Sequence, residues 1–331
     1  KVDKTKKINY MSKLKLLLVS LAILFSHNLT LGQDSKDGKK ERSAVKSALN
    51  AFKFRSIGPA FMSGRIADIA IDPKNENVWY VAVGSGGVWK TENAGTTWTP
   101  LADNMPFYST GCITIDPHNN ASIWLGTGEN VGGRHVGIGH GVYHSSDGGK
   151  SWKDMGLKKS EHISKIIVHP DDPNTVWVAS QGPLWSPGGE RGLFKTTDGG
   201  KTWKNTLEIN EWTGVTDLVI DPNNPNTLYA ASWQKHRNVA ALIGGGPGTS
   251  LYKSVDGGDN WSKIDKGLPK SNKGKIGLAI SPMQPNVLYA AVELDKRAGA
   301  VYRSDNSGGS WKKMSDTVSG GTGPHYYQEL V

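Results

Sequence analysis

Three glycine-rich stretches concentrate the side chains that could do chemistry. Gly126–Gly141 carries Glu129, Asn130, Arg134, His135 and His140. Gln181–Gly192 carries Trp185, Glu190 and Arg191. Trp233–Thr249 carries Trp233, His236 and Arg237 ahead of a Gly-Gly-Gly-Pro turn. The tryptophans could offer flat apolar faces to a sugar or peptide, and the arginines could offer forks to carboxylates. The alternative role for each is to anchor its own loop, an Arg pairing with a nearby Glu or a Trp sealing a packing seam. Glycoside cleavage would need two carboxyls about 5–9 Å apart. Asp68, Glu129, Glu190, Asp217 and Glu293 lie outside turns, and no two stand at a spacing that marks a pair. His135 and His140 with Glu129 fall short of the three or four converging ligands of a zinc site. No phosphate loop, nucleophile elbow or dinucleotide fingerprint is present. These residues therefore read as a binding set for a glycan or a protein ligand, with no catalytic residue, metal or cofactor assigned. Glycoside hydrolysis is the alternative.

The elements that would hold these loops are written as a repeat. TENAGTTW (91–98), SSDGGKSW (145–152), TTDGGKTW (196–203), SVDGGDNW (254–261) and SDNSGGSW (304–311) share a hydroxyl residue, Asp or Asn two residues on, a Gly and a closing Trp. The closing residues Trp98, Trp152, Trp203, Trp261 and Trp311 recur at about 50-residue spacing, the period of a repeat architecture. Asn93, Asp147, Asp198, Asp256 and Asn306 sit where a side chain bonds nearby backbone N–H groups in a turn, so they read as turn caps, not catalytic acids.

A second motif keeps step. Apolar runs close on a Pro dipeptide at Asp72-Pro73, Asp116-Pro117, His169-Pro170, Asp221-Pro222 and Ser281-Pro282, and a second apolar run follows each. Pro cannot donate to a ladder and ends the strand. Each period thus reads as four antiparallel strands A to D, which is a propeller blade. The expected class is an all-β, incomplete β-propeller. Its blades fall at about 56–100, 101–155, 156–205, 206–263 and 264–313, and residues 314–331 begin a sixth. Strand alternation puts the Pro turns and Trp hairpins on one rim and the variable B–C loops, with the candidate residues, on the other. Function concentrates in loops that vary over a constant scaffold.

The hydroxyl-x-Asp-x-Gly-x-x-Trp pattern resembles the Asp-box, or bacterial neuraminidase repeat, of sialidases, xyloglucanases and the sortilin and vacuolar-sorting-receptor propellers. Residues 52–331 resemble exported proteins of Bacteroidetes-type bacteria described as sortilin-like or glycosyl-hydrolase-like. Gly126-Thr127-Gly128-Glu129-Asn130, Glu190-Arg191-Gly192 and Trp233-Gln234-Lys235-His236-Arg237 carry that likeness. The resemblance implies the fold, whereas function resides in sites grafted onto folds. The sialidase pattern departs at Gly64-Arg65-Ile66-Ala67, which lacks the Pro of Arg-Ile-Pro. The xyloglucanase pattern departs at Gly84, where that family carries an Asp two residues before Gly86-Gly87.

The ends set the charge. Residues 1–10 read as an upstream segment and 11–32 as a signal peptide with a ten-residue apolar core at Leu16–Phe25, too short to span a bilayer. Residues 33–55 form a charged leader. Of 39 Lys and Arg, 26 lie from Ser56 onward, against 26 Asp and Glu there. The propeller segment is formally neutral, and the basic balance is no argument for nucleic acid. The lone Cys112 gives no disulfide framework. The expectation is a secreted or cell-envelope bacterial protein, with no membrane span after signal cleavage and further domains beyond residue 331.

Overall fold

A computed structural model describes residues 65–133, 136–294 and 298–318. All lie in a compact unit spanning Phe61–Val331. The signal peptide, the charged leader and the expected strand at 326–331 fall outside the described residues.

Five four-stranded antiparallel sheets follow one another along the chain. The first contains β1 (Ile66–Ile71), β2 (Trp79–Val83), β3 (Gly87–Thr91) and β4 (Thr99–Pro100). The second contains β5 (Thr110–Ile115), β6 (Ile123–Thr127), β7 (Val142–Ser145) and β8 (Lys153–Asp154). The third contains β9 (Ile163–His169), β10 (Asp172–Ser180), β11 (Gly192–Thr196) and β12 (Lys204–Leu207). The fourth contains β13 (Thr213–Asp221) and β14 (Asn224–Gln234). A two-residue ribbon of β15 (His236–Arg237) and β16 (Leu242–Ile243) intervenes before β17 (Leu251–Ser254) and β18 (Ser262–Lys263) complete it. The fifth contains β19 (Ile276–Ile280), β20 (Leu288–Glu293), β21 (Ala298–Ser304) and β22 (Lys312–Val318). The chain is an all-β propeller of meander blades. The β15–β16 ribbon was not foreseen; it turns the expected Gly-rich loop into a small hairpin.

Successive first strands lie side by side: β1 packs on β5, β5 on β9, β9 on β13 and β13 on β19. A side chain bridges each of these seams. Asp68 Oδ2 accepts from Ile113 N at 2.9 Å, and Asp217 Oδ2 accepts from Leu278 N at 2.7 Å. Thr114 donates to Ile166 O at 2.8 Å, and Ser164 donates to Val215 O at 3.1 Å. Asp68 and Asp217, considered above as acids for hydrolysis, are thereby spent on joining blades.

Four apolar cores fill the spaces between adjacent blades. The first, for example, joins Tyr80, Ala82 and Val88 of blade one to Ile113, Leu125 and Tyr143 of blade two. The others lie between blades two and three, three and four, and four and five. Among the described residues all four cores lie between blades, so each blade draws its packing from its neighbours.

The Trp hairpins are clasps across these seams. In blade two the Ser145 hydroxyl donates to Asp147 and accepts from Gly149 N at 2.8 Å, while Asp147 Oδ1 accepts from Ser151 N at 2.9 Å. The same bonds recur at Thr91, Thr196, Ser254 and Ser304. Bonds from Ser151 and Ser145 hold the Asp147 carboxyl down to about 2, and equivalent bonds lower Asp198 and Asp256. In blades two to five the hairpin Trp then reaches the preceding blade. The indole N–H donates from Trp152 to Leu101 O, from Trp203 to Met155 O, from Trp261 to Thr206 Oγ1 and from Trp311 to Ile264 O. Gly149 must be glycine on two counts: its φ is +87°, and a Cβ would stand 2.5 Å from Leu101 Cδ1.

A further regularity escaped the reading of the sequence. The second strand of every blade carries an aromatic directly across from a basic residue of the third. The pairs are Tyr80 with Lys90, Trp124 with His144, Trp177 with Lys195, Tyr229 with Lys253 and Tyr289 with Arg303. In four of them the cation or imidazole lies against the ring, with centroid distances of 4.5–5.7 Å. The Lys and Arg pairs among them are worth about 0.5–2 kcal/mol each.

Candidate functional site

Side chains with unusual electrostatics gather on one rim, where second strands end and first strands begin. Glu129 and Asn130 follow β6, Gln181 follows β10, Trp233 and Lys235 lie at the end of β14, and Glu293 ends β20. Glu161 and His162 precede β9, and Lys275 precedes β19. This is the rim of the long B–C loops, opposite the Trp hairpins.

At its centre a chain of polar groups crosses four blades. Lys235 Nζ donates to Gln181 Oε1, and Gln181 Nε2 donates to Asn130 Oδ1. Lys275 Nζ donates to Asn130 Oδ1 at 3.2 Å and to Asn130 O at 3.1 Å. Gln181 Nε2 also reaches Thr216 Oγ1 at 3.2 Å. Both ammonium groups lie over the Trp233 ring, 4.9 Å (Lys235) and 5.9 Å (Lys275) from its centroid. Lys235 is 0% exposed. Burial, reinforced by Arg191 and Lys275, drives its amine well below the usual lysine range, with Glu161 opposing. Burying amines costs free energy; at this rim the ring and the amide bridge offset part of that cost.

The acids around this chain differ in state. Glu129 is buried and grips Arg65 through both oxygens, one contact measuring 2.6 Å. Its carbonyl accepts from His162 Nδ1 at 3.0 Å, and burial next to Lys235 holds that imidazole well below its ordinary range. Burial raises Glu161 against the opposing pull of Arg191. Burial also pushes Glu293 up to about 7, although its carboxylate accepts from Lys275 N at 3.2 Å.

The loops are tied down by arginines. Arg191 donates to the carbonyls of Gly188, Gln181, Pro183 and Ser186, and burial lowers it to about 10. Arg191 therefore shapes its own loop and presents no fork to a ligand. Arg237 donates to Gly132 O at 2.8 Å, its amide donates to Leu184 O at 3.0 Å, and its guanidinium lies 6.0 Å from the Trp185 ring centroid. It knits the loops of blades two, three and four. Trp185 is 46% exposed. Trp233 is 1% exposed and donates to Gly244 O at 2.9 Å, so the expected second stacking face is instead a floor under the lysines. Glu190 accepts from Lys159 N at 2.7 Å, His236 packs on Trp212 with centroids 4.1 Å apart, and His140 is exposed. Arg134 and His135 lie outside the described residues. Lys235, Lys275, Glu161 and His162 were missed from sequence. The one available signal was their position, flanking the apolar strand runs.

Comparison with known proteins agrees with this architecture. A family model described as Sortilin, neurotensin receptor 3 (Sortilin-Vps10) matches residues 140–272. The xyloglucanase of Hypocrea jecorina is 24% identical over 308 residues, covering 84% of this chain and 35% of the relative. A probable oligoxyloglucan-reducing end-specific xyloglucanase of Neosartorya fischeri is 24% identical over 242 residues, covering 67% of this chain and 26% of the relative. An ancestral GH74 enzyme superposes with a TM-score of 0.61 at 24% identity, covering 78% of this chain and 32% of that one. The Niastella koreensis GH74 enzyme gives 0.57 at 20% identity, covering 75% and 38%. The chain thus spans about a quarter to a third of the length of these curated relatives. At this identity the structural likeness is one of fold. Among the described residues no helix is long and apolar enough to cross a membrane.

Proposed function

We propose that this chain is a ligand-binding part of an exported bacterial Asp-box propeller, and that it receives a glycan on the B–C rim. The observation that carries this reading is the rim itself. A costly buried lysine–amide chain fixes its floor, Arg237 fixes three loops above it, and Trp185 stands exposed at its edge with a cation against its ring. A rigid aromatic edge over a preorganised floor suits a sugar face, because little ordering remains to oppose binding. The similarity to xyloglucanases makes xyloglucan oligosaccharides the first ligands to try. Calorimetric titration of the chain with them tests the reading. Binding that Trp185→Ala weakens about tenfold is expected, a loss of about 1.4 kcal/mol. Absence of heat with any oligosaccharide would overturn it.

One observation favours glycoside hydrolysis as a second reading. Glu293 is a buried carboxyl poised near neutrality, as a general acid should be. Against it, Asp68 and Asp217 are committed to seams and Glu129 to Arg65. Turnover of xyloglucan that falls with Glu293→Gln would favour hydrolysis over binding alone.

A further inference from the structure

The aromatic–basic pair of one blade receives the Trp hairpin of the next. The fourth residue of each arriving hairpin lies at positive φ: Gly148, Gly199, Gly257 and Ser307 at +74°, +70°, +71° and +55°. Three of their carbonyls are met by the receiving pair. The Tyr80 hydroxyl reaches Gly148 O at 3.5 Å, Trp177 Nε1 donates to Gly257 O at 3.0 Å, and Lys253 Nζ donates to Ser307 O at 3.1 Å.

Between blades two and three the pair makes no such bond to Gly199 O. Trp124 packs edge-on against Trp203 of the arriving hairpin, with centroids 6.4 Å apart. Its buried indole N–H finds no acceptor among the described residues. Its basic partner is His144, where blades one, three and four have Lys90, Lys195 and Lys253. The imidazole turns away from the hairpin. Its Nε2 lies 2.8 Å from Ser122 Oγ, and Ser122 donates to Asp116 Oδ2 at 3.0 Å. Nε2 therefore carries the proton of the neutral ring and donates to Ser122. A second proton would create an N–H at Nδ1, for which no protein acceptor stands among the described residues.

The charges around His144 come from three elements. Asp116, in the turn after β5, favours the charged ring and also pairs with His118 Nδ1 at 2.8 Å. Lys153, directly across on β8, opposes it. On the arriving hairpin Asp198 is bound by Thr196 and Thr202, and Lys201 is exposed. Burial is the largest influence and holds the imidazole below its ordinary 6.5.

We propose that the seam between blades two and three is a pH-sensitive joint, with His144 as its sensor and the hairpin of residues 196–203 as the part released. On the opposite rim the same seam is tied by Gln181 to Asn130 and by His162 to Glu129 O, so it loosens on the hairpin side. The folded ring binds its proton less readily than the unfolded one. Stability from His144 is therefore full above about 6.5 and is lost as pH falls below that value.

Hydrogen exchange on the full chain at about pH 7.5 and about pH 5.5, corrected for intrinsic rates, tests this across the range where histidine titrates. At the lower pH the amides of residues 196–203 should open at least about fivefold more, the effect of one donor left without an acceptor. The hairpins 254–261 and 304–311 should not change. His144→Lys should abolish the response, and His118→Asn should keep it. Equal acceleration in all hairpins, or a response that survives His144→Lys, would overturn the proposal. Nuclear magnetic resonance titration of the parent chain covers a variant that fails to fold. The His144 ring should titrate below 6.5, and a ring that titrates at or above that value refutes the joint.

Discussion

At the scale of single residues, the hairpin hydroxyls and the rim acids make opposite use of burial. Ser145 Oγ is the acceptor for Gly149 N in a buried setting, so Ser145→Ala leaves that N–H without a partner. The expected loss is about 1–3 kcal/mol, read as a lower urea midpoint with an unchanged slope. Glu293 works the other way. Its folded carboxyl titrates near 7, against 4.5 for an ordinary glutamate. Between those values the folded state holds a proton that the unfolded state has released. Stability from this group is therefore full below about 4.5 and declines as pH rises to about 7. Thermal midpoints of Glu293→Gln, compared with the parent across that window, should lack this decline. Parallel pH profiles for the two proteins would show that the carboxyl is not held as described.

At the scale of elements, what could be foreseen was what is local. A hydroxyl, an Asp and a Gly within five residues specify a hairpin with no help from the rest of the chain, so the five turns were legible as caps. The Pro dipeptides were legible for the same reason. The rim chain was not, because its bonds join residues 51, 54 and 145 positions apart. Nothing near Lys275 announces that it will meet Asn130. Glu129 could be singled out as a candidate, but its partner Arg65 lies 64 residues away, so its role as a held ion could not. Trp233 looked like a binding face because Trp commonly is one; only tertiary packing shows it covered. Asp217 is the element-scale lesson, a carboxylate that bonds Leu218 N with one oxygen and Leu278 N with the other. Asp217→Asn can keep only one of these acceptors. It should cost about 1–3 kcal/mol and speed hydrogen exchange at Leu278 selectively. Uniform acceleration across β19 and β13 would mean that the side chain supports the whole seam, not one bond.

At the scale of the molecule, the blades form a row in which stability comes from neighbours. Cores lie only between blades, so blade three is supported on both sides, whereas among the described residues blades one and five are each supported on one. In such a row the opening free energy depends on how many interfaces must break. Amide exchange should therefore be slowest in β9 and β10, intermediate in the second and fourth blades, and fastest in β1 and β22. A profile that is flat from blade to blade would show that the five sheets open as one cooperative body, and the nearest-neighbour account of this fold would fail with it.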